Sequence, residues 1–203
     1  MEPEFSSVFD IMGRLAITPN QEHIDMAHRL GQALHQWLGL PQALTWQLDH
    51  SMTEASFNQT MMLAVSAGFI GVDSLAGDPN ILEIAYQHQI HIDFVPNANI
   101  PDSTARLIVN GNQVFEFATH AANDTFAITA MNHIPVTITP GSPCLLVTVR
   151  QQPHLNHADF IHISPVIDFD HTNGMVLNPK LMTTDLIQQV TTTPGVLTVI
   201  PFR

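Results

Sequence analysis

The sequence predicts an α+β fold, and three local patterns carry that reading. After Pro19-Asn20, the residues Ala27, Leu30, Leu34, Trp37 and Leu38 recur at helical spacing and give one apolar face. Leu44, Trp46 and Leu48 alternate with Thr45, Gln47 and Asp49, the period-two pattern of a half-buried strand. Asn110-Gly111-Asn112 separates two further runs, Ala105 to Val109 and Val114 to Phe117, and marks a hairpin. Helices followed by hairpin-linked strands imply layers of helix on sheet.

Taken in order, a short opening strand is expected around Phe9-Asp10-Ile11-Met12, with a turn at Gly13. Asn20 supplies an N-cap for the first helix and Glu22 complements its dipole; Gly39 and Pro41 end it. A second helix is expected from about Ser56 to Ile70. Its Met61, Met62, Leu63, Val65 and Phe69 make it apolar nearly all round, so it should be buried. A shorter helix with Ile81, Leu82, Ile84 and Ala85 follows Gly77-Asp78-Pro79-Asn80. His91 to Val95 alternates, and Phe126 to Thr129 and Val136 to Ile138 read as strands. Pro140-Gly141-Ser142-Pro143 is the strongest boundary, dividing 1–140 from 144–203. Beyond it come a strand over Cys144 to Arg150, a stretch rich in histidine and aspartate to about Asp170, and a strand at Gly174 to Leu177. Thr183 or Thr184 caps a last helix through Val190, and Val196 to Pro201 closes as a strand.

Composition narrows the function classes. With 203 residues, 45% of them apolar, the chain can bury one large core or two small ones. Eighteen Asp and Glu against six Lys and Arg give a formal charge of −12. Such a surface repels phosphate backbones and anionic lipid, so neither nucleic acid nor a membrane is an expected partner. No apolar run reaches the roughly 18 residues of a membrane span. Met1-Glu2-Pro3-Glu4 is acidic where a secretory signal would be basic, so a cytoplasmic address is the expectation. The single cysteine, Cys144, excludes an internal disulfide and an all-cysteine metal or cluster site within one chain. The apolar run after it marks Cys144 as a buried structural thiol rather than a nucleophile.

Twelve histidines are the unusual feature. His154, His157 and His162 lie near Asp159, but their spacing matches no tight metal motif, and no metal site is assigned. Three hydrolase and phosphate-loop signatures are missing: His-Glu-x-x-His, Gly-x-Ser-x-Gly and Gly-x-x-x-x-Gly-Lys. His23 falls in the first turn of the first helix, a position suited to proton transfer, although a lone histidine at a helix start is more often a solvated or hydrogen-bonded ring. Glu54, Ser56, Asn58, Gln59 and Thr60 form a polar cluster before the buried helix. A helix start with such side chains can hold a small carboxylate, or be an ordinary capping segment.

Several of these residues resemble a known family. Ser7-Val8-Phe9-Asp10-Ile11-Met12-Gly13, then Ile17-Thr18-Pro19-Asn20-Gln21-Glu22-His23, is similar to the opening of the β chain of bacterial iron–sulphur L-serine dehydratase. That family reads Ser-Val-Phe-Asp-Ile-Ile-Gly, then Ile-Gly-Pro-Ser-Ser-Ser-His-Thr. Ala67-Gly68-Phe69-Ile70-Gly71 resembles its Ala-Gly-Leu-Leu-Gly, and Pro101-Asp102-Ser103-Thr104-Ala105-Arg106 its Asn-Thr-Ala-Arg element. Together these pieces span about residues 5 to 140. The resemblance implies an N-terminal α/β sandwich similar to an allosteric substrate-binding domain, followed by an ACT-like, ferredoxin-like βαββαβ domain over 144–203. It implies conversion of L-serine to pyruvate and ammonia, with a [4Fe-4S] cluster on a separate α chain as Lewis acid and no cofactor on this chain. ACT modules and two-chain enzymes favour association, so a homodimer is expected beside the α-chain partner.

The departures from the family pattern matter as much. Of Ser-Ser-Ser-His-Thr only His23 matches; Asn20, Gln21 and Glu22 replace the serines and Ile24 the threonine. The family's Gly-His-Gly-Thr-Asp falls on Asn58 to Met62, with Gln59 at the histidine position and Met62 at the aspartate. His23 is thus the candidate catalytic residue, with Asn20, Gln21, Asn58, Gln59 and Thr60 as candidate substrate or anion contacts. The first ACT helix is expected to be short or missing between Arg150 and Ile163. The alternative is a non-catalytic, small-molecule-binding or regulatory protein on the same scaffold.

Overall fold

The computed structural model describes residues 21–48, 56–72, 80–101, 104–120, 125–139, 141–169 and 172–202. The expected opening strand around Phe9 and the cap residue Asn20 lie outside them. In chain order the elements are α1 (Gln21–Leu38), β1 (Ala43–Leu48), α2 (Ser56–Phe69), α3 (Ile81–Gln87) and β2 (His91–Pro96). Two hairpins follow, β3 (Thr104–Val109) with β4 (Gln113–His120) and β5 (Thr125–Met131) with β6 (Ile134–Ile138). The remainder is β7 (Cys144–Val149), β8 (Phe160–Ile163), β9 (Ile167–Asp168), β10 (Asn173–Pro179), α4 (Thr184–Thr192) and β11 (Val196–Phe202). Helices and two sheets together make the chain α+β.

The first sheet has the order β2-β1-β3-β4-β5-β6. Only β1 and β2 run parallel, and α2 and α3 form the crossover that a parallel pair requires. Alternation sets the faces: Leu44, Trp46 and Leu48 on β1 and Ala105, Leu107 and Val109 on β3 are buried, while their neighbours are half-buried. At the tip of the β3–β4 hairpin, Asn110 and Gly111 both take positive φ, at 51° and 82°, as a tight two-residue turn demands.

Every residue of α2 from 61 to 70 is buried, because the helix is covered on opposite sides. On one side the Trp46 indole N–H donates to Ser66 Oγ at 2.9 Å, and that hydroxyl donates to the Met62 carbonyl at 2.8 Å. On the other side α1 approaches backbone to backbone through a reciprocal pair of glycines. A Cβ on Gly31 would run into the Val65 carbonyl and lie 2.7 Å from the Phe69 nitrogen. One on Gly68 would run into the His28 carbonyl and lie 2.7 Å from the Gln32 nitrogen. Only glycine permits this approach.

The second sheet is antiparallel throughout, in the order β11-β7-β10-β8, with the short β9 also paired to β10. Both faces of its centre are covered. Leu146, Val176 and Phe202 join the core that contains α1 and α2, whereas Leu145, Val147 and Leu177 pack with Leu186 and Val190 of α4. This explains why Cys144-Leu145-Leu146-Val147 reads as an unbroken apolar run rather than an alternating one. Thr183 caps α4, its hydroxyl accepting from Leu186 N at 3.1 Å. Between β7 and β8 the connection holds one 3-10 turn, His157–Asp159.

Residues on the two sides of Pro140 share one core. Trp37 of α1 meets Phe169 edge-on, with ring centroids 5.1 Å apart, and Phe169 stacks on Phe115 of the first sheet at 5.9 Å. The Asn132 amide donates to the Asp168 carbonyl at 2.5 Å, and the Asn178 amide to the Thr137 carbonyl at 2.8 Å. These bonds tie the β5–β6 hairpin to the second sheet.

Candidate functional site

The starts of α1 and α2 carry the residues singled out in the sequence. His23 stands in the first turn of α1, and Gln59 and Thr60 in the opening turns of α2; all three are half-buried and partnered. The side chains of Gln21 and Asn58 lie outside the described residues, as does Asn20 altogether. The close contact of the two helices lies further along each, at Gly31 and Gly68. The start of α1 thus carries an imidazole and the start of α2 an amide with a hydroxyl, on helices whose backbones touch further along each. Such groups can orient a carboxylate or hydroxyl, and the exposed N–H groups of a helix start favour an anion.

The next positions are closed to chemistry. Met62 is 0% exposed and packs in the core with Leu44 and Phe117. A carboxylate there would need a buried partner, so the aspartate position of the family pattern is now a packing position.

The other end of α2 holds two histidines that the sequence does not distinguish from the remaining ten. Gly71 takes φ 77° and closes the helix: Val72 N donates to the Ala67 carbonyl at 3.0 Å and Gly71 N to that of Gly68 at 3.1 Å. Further carbonyls here are satisfied from α1. His28 Nε2 donates to the Val72 carbonyl at 2.6 Å, and His35 Nδ1 to the Phe69 carbonyl at 2.7 Å. A carbonyl can only accept, so each of these nitrogens carries the proton. The signal in the sequence is the i, i+7 spacing of His28 and His35, which places both on one side of α1.

Cys144 is fully buried, and burial pushes its thiol up to about 12 from an ordinary 9.0. It is neither a nucleophile nor a soft ligand at neutral pH. Among the described residues no three His, Cys, Asp or Glu side chains gather as a metal site. An ion pair joins Arg106 of β3 to Glu116 of β4 at 3.0 Å, between directly opposed positions in the ladder. No helix among the described residues is long and apolar enough to cross a membrane. No protein-family model matches this chain, and no curated protein matches it.

Proposed function

We propose that this chain is a diverged β chain of an iron–sulphur L-serine dehydratase, which helps convert L-serine to pyruvate and ammonia only together with a cluster-bearing α chain. The reading is supported by the placement of His23 in the first turn of α1 and of Gln59 with Thr60 in the opening turns of α2, the positions that the family resemblance picks out. His23 serves as the proton-transfer or substrate-contact group, and the polar start of α2 binds the serine carboxylate or hydroxyl. The [4Fe-4S] cluster does not fit this chain, whose single cysteine is buried and protonated. It belongs to the α chain, and no step through it is assigned to these residues.

The C-terminal half supports an ACT-like reading in part. Numbering its main strands β7, β8, β10 and β11 from one to four, the sheet order is four-one-three-two, that of a βαββαβ module. The first helix of such a module is replaced by the 3-10 turn at His157–Asp159. Effector binding in ACT domains commonly uses that loop and helix, so amino-acid sensing there has lost its usual frame.

The complete burial of Met62 favours a second reading, a non-catalytic binding or regulatory protein that keeps the scaffold. An anaerobic pull-down of the tagged chain from its native host separates the two. Co-purified iron, a cysteine-bearing partner and pyruvate formation from L-serine are expected. An iron-free homodimer without activity would overturn the dehydratase reading and leave the regulatory one.

A further inference from the structure

Away from both helix starts, α1 and the C-terminal end of β11 border an open cleft of about 200 Å³. Its helical wall is Arg29, Gln32, Ala33 and Gln36, at i, i+3, i+4 and i+7 along one stripe of α1. Its apolar side is Ile200 and Phe202, which with Ala33 are 5–7% exposed. Arg29 is exposed and forms no ion pair among the described residues. In a chain of net charge −12 with six Lys and Arg in all, a guanidinium with no ion pair among the described residues, beside a small apolar patch, is a selective place for an anion. The planar fork of arginine matches a carboxylate, and the two glutamine amides can each donate to or accept from a second oxygen. The volume is below the roughly 300 Å³ at which drug-sized pockets begin, so the occupant is small. Pro201 carries no N–H, which disfavours a strand-adding peptide at this point of the sheet edge.

We propose that this cleft binds a small 2-hydroxy or 2-oxo carboxylate. Arg29 holds the carboxylate, Gln32 and Gln36 read the adjacent oxygen, and Ala33, Ile200 and Phe202 cover the short carbon chain. The inference is independent of the dehydratase reading, since none of these residues stands at either helix start.

The full-length chain is titrated with sodium L-lactate and sodium pyruvate by two-dimensional amide NMR, with methyl lactate as the control lacking a carboxylate. Saturable shifts on the order of 1 mM are expected, mapping to α1 and β11. Arg29→Gln, at an exposed position that tolerates substitution, should weaken binding about tenfold. Gln36→Ala should weaken it by a smaller factor. Unchanged affinity in Arg29→Gln, equal binding of methyl lactate, or no saturable shift with either acid would each overturn the site.

Discussion

The two ends of α2 are built to opposite specifications. Its C-terminal end is fixed several times over, by the left-handed Gly71, by the glycine contact with α1, and by two histidines that take up its carbonyls. Its N-terminal end presents the polar, half-buried Gln59 and Thr60, and among the described side chains the large apolar anchors begin at Met61 and Met62. Rigidity at one end is what allows the other to carry Gln59 and Thr60 in fixed directions, because a site held by packed neighbours keeps its geometry. Stability and candidate chemistry are therefore separated along a single helix, and substitutions at the two ends should fail in different ways.

The largest effect is expected at the crossing point. Gly68→Ala places a methyl group against the backbone of α1, where no side-chain rotation can relieve it. Unfolding in urea should show a loss of about 3 kcal/mol, the upper range for overpacking. A loss below roughly 1 kcal/mol would mean that the helices part freely and that the contact does not fix the site. Next comes the histidine clamp. His35→Ala leaves the Phe69 carbonyl without its donor and should cost about 1–3 kcal/mol. Asn at 35 offers an amide N–H near the place of Nδ1 and should recover part of that loss. If Asn and Ala behave alike, the ring acts by packing and the bond contributes little.

Cys144 sharpens the comparison from outside the helix. Its folded-state ionisation is raised to about 12 while a free thiol has an ordinary value of 9.0, so the native state keeps a proton that the unfolded chain releases. The linked stability is complete below pH 9 and is lost as pH rises toward 12, at no more than about 1.4 kcal/mol per pH unit. Cys144→Ser should flatten that slope in urea melts recorded across the window. A thiol reagent at pH 8 should leave the folded chain unmodified and label it on denaturation. Labelling of the native chain would show that the core opens between the two sheets.

Much of the architecture is legible in the sequence because burial on one face writes itself as period. Leu44-Thr45-Trp46-Gln47-Leu48 alternates, α1 repeats its apolar residues at helical spacing, and Asn110-Gly111 supplies the two positive φ angles of its turn. The strands β8 and β9 are not legible. In Phe160-Ile161-His162-Ile163 the large apolar Ile161 is 75% exposed on an edge strand, so the alternation that would reveal the strand is broken. The glycine contact is hidden for another reason: inside a helix, glycine signals only weak propensity, and its use depends on a backbone that is distant in sequence. His28 and His35 are hidden in the same way, since their partners, Val72 and Phe69, lie 44 and 34 positions away. At the candidate site the residue types are legible, but the burial that separates Gln59 and Thr60 from Met62 is a tertiary fact.

The smallest effect on stability, and the one most telling for function, is expected at His23. The ring lies half-buried in the first turn of α1, ahead of the residues that lock the helix to α2. His23→Ala should therefore change unfolding free energy by only about 0.5 kcal/mol. In a complex with the proposed α chain, the same substitution should lower kcat for L-serine by about a hundredfold, the low end for a lost general acid or base. His23→Gln, which keeps a hydrogen-bonding group but cannot exchange a proton at neutral pH, divides the two roles open to the ring. A variant that restores KM while kcat stays low assigns proton transfer; recovery of both assigns substrate contact. Full activity in His23→Ala would remove the ring from the mechanism and leave the start of α2 alone, a helix end that can bind serine but cannot move its proton.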